Sequence, residues 1–116
     1  MSHKVVHFEV CGGDGKQLQD YYSALFGWHV DASNPMQYGL VSDEQAGISG
    51  GICTAQGKSI VTFYVAVPDL AAALANAERL GGKIVMQPIQ VPDGPEIAQF
   101  ADPDGNVIGL LKDEAR

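Results

Sequence analysis

Residues 5–10 (VVHFEV) alternate between apolar and more polar side chains and are rich in β-branched residues. A period of two residues with this composition is typical of a β-strand that buries one face. The even positions of the stretch form an apolar face. The odd positions place His7 and Glu9 side by side on the other face. His7 could therefore begin a metal site, line a ligand pocket or serve only as part of a strand.

The composition describes one compact folded domain. The chain has 116 residues, 46% hydrophobic and 18% charged, which is enough for a core without disulfide or metal staples. The net charge is −7, and the seven basic residues are scattered along the chain. Nucleic acids and anionic membranes bind clusters of cations, so we expect neither as a partner.

The sequence indicates a cytoplasmic protein. No apolar run approaches the roughly 20 residues that span a bilayer. Residues 1–4 lead into the first strand without the apolar core of a signal peptide. Cys11 and Cys53 match no metal or redox spacing. We expect both to be reduced thiols, buried or half-buried, with a structural role.

The segment after the first strand predicts one helix and three further strands. Asp14 stands where it can cap the helix, and Gln17 follows three residues later as in a capping box. Apolar residues recur at helical spacing until Gly27, a residue type that commonly ends a helix. A polar turn is predicted at residues 42–47. The three strands are predicted at residues 28–31, 36–41 and 48–54.

The same order of elements repeats after a joint at residues 56–58. Residues 60–67 alternate as residues 5–10 do, and Asp69 is placed to cap a second helix that Gly81 would end. Three strands are predicted to follow, at residues 83–91, 96–101 and 107–111. An internal repeat of this length is a strong sign of a duplicated fold.

The repeat predicts an α+β fold, a single domain over residues 1–116. It would consist of two βαβββ modules, at residues 4–55 and 58–112. One helix covers only one face of a four-stranded sheet, so the other faces should meet. We therefore expect a curved, cup-shaped mixed sheet with helices outside. A concave, partly polar interior of this kind suits a small molecule.

Two further motifs point to a family. Residues 21–28 (YYSALFGW) end the first helix, and residues 102–106 (DPDGN) form a tight hairpin turn between the last two strands. Together with the repeat, they resemble the vicinal oxygen chelate superfamily, which contains glyoxalase I, extradiol dioxygenases, fosfomycin-resistance enzymes and bleomycin-resistance proteins. The resemblance covers residues 5–111. It is most similar to small bacterial glyoxalase-like proteins and implies a homodimer.

The resemblance also implies where a catalytic metal ion would bind. Superfamily enzymes hold a divalent metal with side chains from both modules. His7 matches one ligand position, whereas Thr62 stands at the second and Gly109 stands where a carboxylate would be. Residues 50–53 (GGIC) offer no carboxylate or imidazole. A catalytic zinc needs at least three protein ligands, so we expect no metal and no cofactor, with His7 as a weak candidate ligand.

These features favour a metal-free module that binds a small molecule in the cup, as bleomycin-resistance proteins do. An acidic chain suits a cationic ligand. The alternative is an enzyme of the same superfamily, a lyase, isomerase or dioxygenase, with His7 or Glu9 as the candidate catalytic residue. A third reading is a structural protein whose cup is filled by side chains. The predicted ligand-binding residues are His7, Glu9, Thr62, Tyr64 and Gln99.

Overall fold

The computed structural model describes residues 2–113, which form two compact units. The first unit comprises residues 6–62, and the second comprises residues 63–113 with residues 2–5. Each unit combines strands with helices, so the predicted α+β class is confirmed. The elements are β1 (Val5–Gly12), α1 (Gly15–Phe26), β2 (Gly39–Val41), α2 (Asp43–Ala46), β3 (Ser49–Thr54), β4 (Ile60–Val67), α3 (Leu70–Arg79), β5 (Lys83–Gln90), β6 (Glu96–Ala101) and β7 (Val107–Lys112).

The two units share part of one connectivity, although the first unit has three strands where the second has four. In the first unit the strand order is β2-β3-β1. Strand β3 pairs with β1 in parallel and with β2 in antiparallel fashion. In the second unit the order is β4-β7-β6-β5, again with the opening strand parallel to the last strand. Strands β6 and β5 continue that sheet in antiparallel fashion.

The helix signals are confirmed at both N-termini. The Asp14 carboxylate accepts a hydrogen bond from the backbone N–H of Gln17, and the Asp69 carboxylate accepts one from the backbone N–H of Ala72. Each side chain thereby satisfies one of the amides that an α-helix leaves unpaired at its start. Gly27 closes α1 with a φ of 75°, a left-handed conformation that glycine adopts without steric cost.

The strand predicted at residues 28–31 is wrong. Only Asp31 pairs, in a single bridge with Leu40. The backbone of His29 instead bonds the side-chain amide of Gln45. This amide accepts a hydrogen bond from the His29 N–H and donates one to the His29 carbonyl. The side chain of Gln45 therefore takes the place of a partner strand.

The segment before β3 also differs from the prediction. The strand predicted at residues 36–41 shortens to β2. The Asn34 side chain bonds both the N–H and the carbonyl of Tyr38, and Gln37 has a φ of 54°, so neither residue continues the strand. The polar turn predicted at residues 42–47 contains the short helix α2, which begins after Ser42.

Strand β4 buries its more polar face, the one that carries Thr62 and Tyr64. Thr62 and Tyr64 are only 4% and 5% exposed, whereas Val61 is 76% exposed. The apolar face is covered only towards the end of the strand, where Val67 joins the core of the second unit and Val65 packs against it. The other buried members of this core are Leu70, Leu74, Ala98 and Leu110.

Helix α1 buries a glutamine rather than its full apolar stripe. Leu25 and Phe26 are exposed, while Gln19 is buried. The Gln19 side-chain amide donates to the carbonyls of Ile52 at 2.8 Å and Gln37 at 3.1 Å. One side chain therefore joins α1 to β3 and to the segment before β2. No helix within residues 2–113 is long and apolar enough to cross a membrane.

Replacing Gln19 by Leu should lower the free energy of unfolding by about 1–3 kcal/mol, because two carbonyls lose their donor while the volume changes little. Urea denaturation monitored by circular dichroism measures this loss. The matched control is Gln17→Leu, at an exposed position of the same helix. Equal stability of the two variants would contradict the role assigned to Gln19.

Candidate functional site

The candidate site is a chain of hydrogen bonds on one face of the first unit. The Nε2 atom of His7 lies 2.9 Å from the Tyr38 hydroxyl. That hydroxyl donates in turn to Oε2 of Glu9 at 2.8 Å. His7 and Glu9 project from β1 two residues apart, on the same face. Tyr38, just before β2, thus bridges the two side chains that the sequence had placed side by side.

The other ring nitrogen of His7 is held by β3. Its Nδ1 atom lies 2.8 Å from the hydroxyl of Ser49, which is the residue directly opposite His7 in the parallel pair. The same hydroxyl lies 3.1 Å from the backbone carbonyl of Val6, to which it donates when Nδ1 carries a proton. Both nitrogens of His7 are therefore engaged, and the ring is fixed in orientation.

The protonation of His7 decides how these bonds point. Burial lowers the pKa of His7, because a buried imidazole loses the hydration that favours its charged form. The neutral ring donates from Nε2 to Tyr38, since the Tyr38 hydroxyl donates onward to Glu9. Nδ1 then accepts from Ser49. The single proton of the Ser49 hydroxyl then points at Nδ1 and not at the Val6 carbonyl. If the ring gains a proton, Nδ1 donates to Ser49, and the Ser49 hydroxyl turns to the Val6 carbonyl.

Gly51 makes room for Tyr38. It stands opposite Glu9 in the parallel pair, and a Cβ at this position would overlap the hydroxyl end of the Tyr38 ring. The backbone of Tyr38 is fixed by Asn34, which accepts from its N–H at 2.9 Å and donates to its carbonyl at 2.8 Å. A missing side chain on β3 and a clamped backbone together place the hydroxyl.

The predicted residues of the second unit form a separate contact. The amide of Gln99 lies 3.5 Å from the Tyr64 hydroxyl, to which it donates. Tyr64 is paired with Gly109, and a Cβ at Gly109 would overlap the Tyr64 ring. The space beside Gly109 is therefore filled by an aromatic ring. Thr62, the remaining predicted residue, is the last residue of the first unit and is buried on β4.

The expectation of reduced cysteines is wrong for this structure. Cys11 and Cys53 form a disulfide bond. They are directly opposite each other in the parallel β1–β3 pair, with their Cα atoms 4.6 Å apart. The sequence hid this pairing, because 42 residues separate the two cysteines and only the strand register brings them together. The expected burial holds, since Cys11 is buried and Cys53 is half-buried.

An apolar groove of about 470 Å³ lies in the second unit, between α3 and its sheet. Its walls include Val67, Ala73, Phe100 and Leu110. None of the five predicted ligand-binding residues lines it. The predicted ligand-binding site therefore does not lie in this groove.

Sequence reasoning found half of the hydrogen-bonded chain. His7 and Glu9 were predicted and lie together, whereas Tyr38 and Ser49 were missed. Tyr38 lies just before β2, and Ser49 is the first residue of β3. A signal was present in Gly51, since a glycine inside a strand often marks a close approach by another group.

One family model matches nearly the whole chain. Residues 4–110 match the model of the glyoxalase/bleomycin resistance protein/dioxygenase superfamily. No curated protein matches the chain with significant similarity. Among solved structures, a hypothetical protein from Bacillus halodurans C-125 aligns with a TM-score of 0.70 and 11% identity, covering 100% of this chain and 98% of that one.

Two further solved structures share the fold. Methylmalonyl-CoA epimerase from Mycobacterium tuberculosis aligns with a TM-score of 0.66 and 13% identity, covering 96% of this chain and 88% of that one. A glyoxalase/bleomycin resistance protein/dioxygenase superfamily member from Vibrio splendidus 12B01 aligns with a TM-score of 0.64 and 16% identity, covering 97% and 99%. Identities this low establish the fold and no activity.

The lowered pKa of His7 predicts a pH-dependent stability. As the pH falls, His7 takes up a proton near pH 6.5 in the unfolded chain and only at a lower pH in the folded chain. The stability that neutral His7 provides is therefore complete above pH 6.5 and is lost as the pH falls through the lower pKa of the folded state. Urea denaturation at about pH 7.5 and about pH 5 should show a smaller loss in His7→Gln than in the wild type. The control His29→Gln, at an exposed position, should lose as much as the wild type.

Replacing Gly51 by Ala should expel the Tyr38 hydroxyl without changing any polar side chain. The overlapping atoms are the tip of the Tyr38 ring, so the ring can turn away. We expect a stability loss of about 1–2 kcal/mol, the value of two hydrogen bonds, and loss of the nuclear Overhauser effect between the His7 and Tyr38 rings. Gly13→Ala is the control, because its Cβ would meet no atom within 4 Å. Retention of the Overhauser effect in Gly51→Ala would contradict the bridge.

Proposed function

The chain belongs to the glyoxalase/bleomycin resistance protein/dioxygenase superfamily, and we propose that it binds a small molecule through Glu9 and its bridge to His7, without a catalytic metal ion. The observation that carries the proposal is the Tyr38 hydroxyl, which joins the imidazole and the carboxylate at 2.9 and 2.8 Å. A carboxylate held in this way is pre-organised, so a ligand loses little free energy in ordering it.

The face suggests a mostly apolar ligand with a cationic or N–H donor group. An ionised carboxylate only accepts hydrogen bonds, so Glu9 selects a donor. Leu40, opposite Gly51 on β3, is 48% exposed on the same face and offers apolar contact one strand beyond Gly51 from Glu9. The net charge of −7 favours the approach of a cation.

The residues present do not fit the divalent metal ion that the superfamily implies. Gly109 supplies no ligand atom, and the Tyr64 ring occupies the space beside it. Both nitrogens of His7 make hydrogen bonds inside the first unit. The same bonds weigh against His7 as a general base, because it would have to break one of them to reach a substrate. These contacts support binding rather than catalysis.

Two matched probes test the proposal: 2-phenylethylamine, which is cationic at neutral pH, and the neutral 2-phenylethanol. In ¹H–¹⁵N spectra, the amine should shift the amides around Glu9 and Gly51 and should bind more tightly than the alcohol. Glu9→Gln should weaken amine binding about tenfold or more, because a charge-assisted hydrogen bond contributes about 1.5–3 kcal/mol.

The control for this test is Glu44→Gln, which removes an exposed carboxylate of the same unit and should leave binding unchanged. Three outcomes would contradict the proposal: equal binding of the amine to Glu9→Gln and the wild type, shifts confined to other strands, or no binding of the amine. Equal binding of amine and alcohol would overturn the cationic ligand class.

A further inference from the structure

The face that carries His7 and Glu9 continues to the disulfide. Glu9 and Cys11 lie two residues apart on β1, and Cys53 lies opposite Cys11 on β3. One carboxylate oxygen and the two sulfur atoms all lie within 4.8 Å of one another. We propose that, once the disulfide is reduced, Glu9, Cys11 and Cys53 bind a divalent transition metal ion of the zinc class.

The donor set and its spacing suit such an ion. Zinc binds thiolates at about 2.3 Å and carboxylate oxygens at about 2.0–2.2 Å, so ligand atoms around it lie roughly 3.5–3.8 Å apart. The three atoms reach that spacing through side-chain rotation, because the parallel register already holds their backbones side by side. The Tyr38 hydroxyl bonds Glu9 and orients it, as the outer-sphere partners of ligating carboxylates do.

Three protein ligands leave one position of a tetrahedral ion open. A water molecule or a donor atom of another molecule would complete it, an arrangement typical of reactive rather than purely structural zinc sites. Cys53 is half-buried and Cys11 is buried, so the open position lies towards Glu9 and Cys53. These ligands are separate from Thr62 and Gly109, the other positions at which the superfamily's metal would bind.

Metal binding and the disulfide exclude each other. A dithiol reductant transfers two electrons and two protons to the Cys11–Cys53 bond and is itself oxidised to a disulfide, leaving two protein thiols. The metal ion then displaces both protons and binds two thiolates. Oxidation of the pair by a small-molecule disulfide reverses the sequence and releases the ion. The redox state of one cysteine pair therefore controls whether the ion binds.

Cobalt(II) titration tests the inference, since thiolate-bound cobalt absorbs strongly in the near ultraviolet. The full chain is reduced with dithiothreitol, desalted without oxygen and titrated with cobalt(II) and then zinc(II). We expect a saturable thiolate-to-cobalt absorption that zinc abolishes, and no such absorption in the oxidised wild type. Glu9→Gln should keep the absorption but weaken binding at least about tenfold, whereas Glu44→Gln should match the wild type.

The double variant Cys11→Ser/Cys53→Ser should show no thiolate absorption. If it does not fold, the oxidised wild type is the comparison, because it retains the native disulfide. Absence of thiolate absorption in the reduced wild type would overturn the inference, and so would equal affinity in Glu9→Gln. Binding of 2-phenylethylamine to the oxidised protein is measured independently, so failure of the metal site and failure of the proposed small-molecule site are distinguishable.

Discussion

The parallel pairing of β1 with β3 is the constraint on which the site depends. Its register sets Ser49 opposite His7, Gly51 opposite Glu9 and Cys53 opposite Cys11. Because side chains alternate across a strand, these three pairs share one face. A slip of β3 by one residue would move Ser49, Gly51 and Cys53 to the other face, away from their partners on β1. The backbone hydrogen bonds of this pair thus bring the imidazole, the carboxylate and the two sulfur atoms to one face.

Both units use a glycine to admit an aromatic ring. In the first unit Gly51 admits the tip of Tyr38, which leaves the ring free to make polar contacts with its hydroxyl. In the second unit carbon atoms of the Tyr64 ring lie against Gly109, and the Tyr64 hydroxyl accepts a hydrogen bond from Gln99. In both units, therefore, the ring of a tyrosine takes the space that a side chain at the glycine would fill. In the first unit the tyrosine hydroxyl forms a polar bridge, whereas in the second unit the ring fills the space beside Gly109. This difference explains why the first unit is the better candidate for ligand binding.

The sequence predicted what local chemistry determines. Helix caps such as Asp14 and Asp69 act within a few residues, so their signals are readable, and the repeated alternation of the opening strands predicted the duplicated α+β fold. Tyr38 could not be placed, because its position depends on a distant glycine and on a clamp by Asn34. The disulfide was missed for the same reason, since strand register is a tertiary property. The strand at residues 28–31 failed because a side chain from α2 takes up the backbone groups that a neighbouring strand would have bonded.

The most direct test of this account is the tautomer of His7 at neutral pH, read from the ¹⁵N shifts of its ring nitrogens by long-range ¹H–¹⁵N correlation. The bridge requires a proton on Nε2, since the Tyr38 hydroxyl donates to Glu9, and the lowered pKa of His7 requires that the ring be neutral, with Nδ1 accepting from Ser49. A ring protonated on Nδ1 alone would contradict the bridge, and a doubly protonated ring at neutral pH would contradict the lowered pKa.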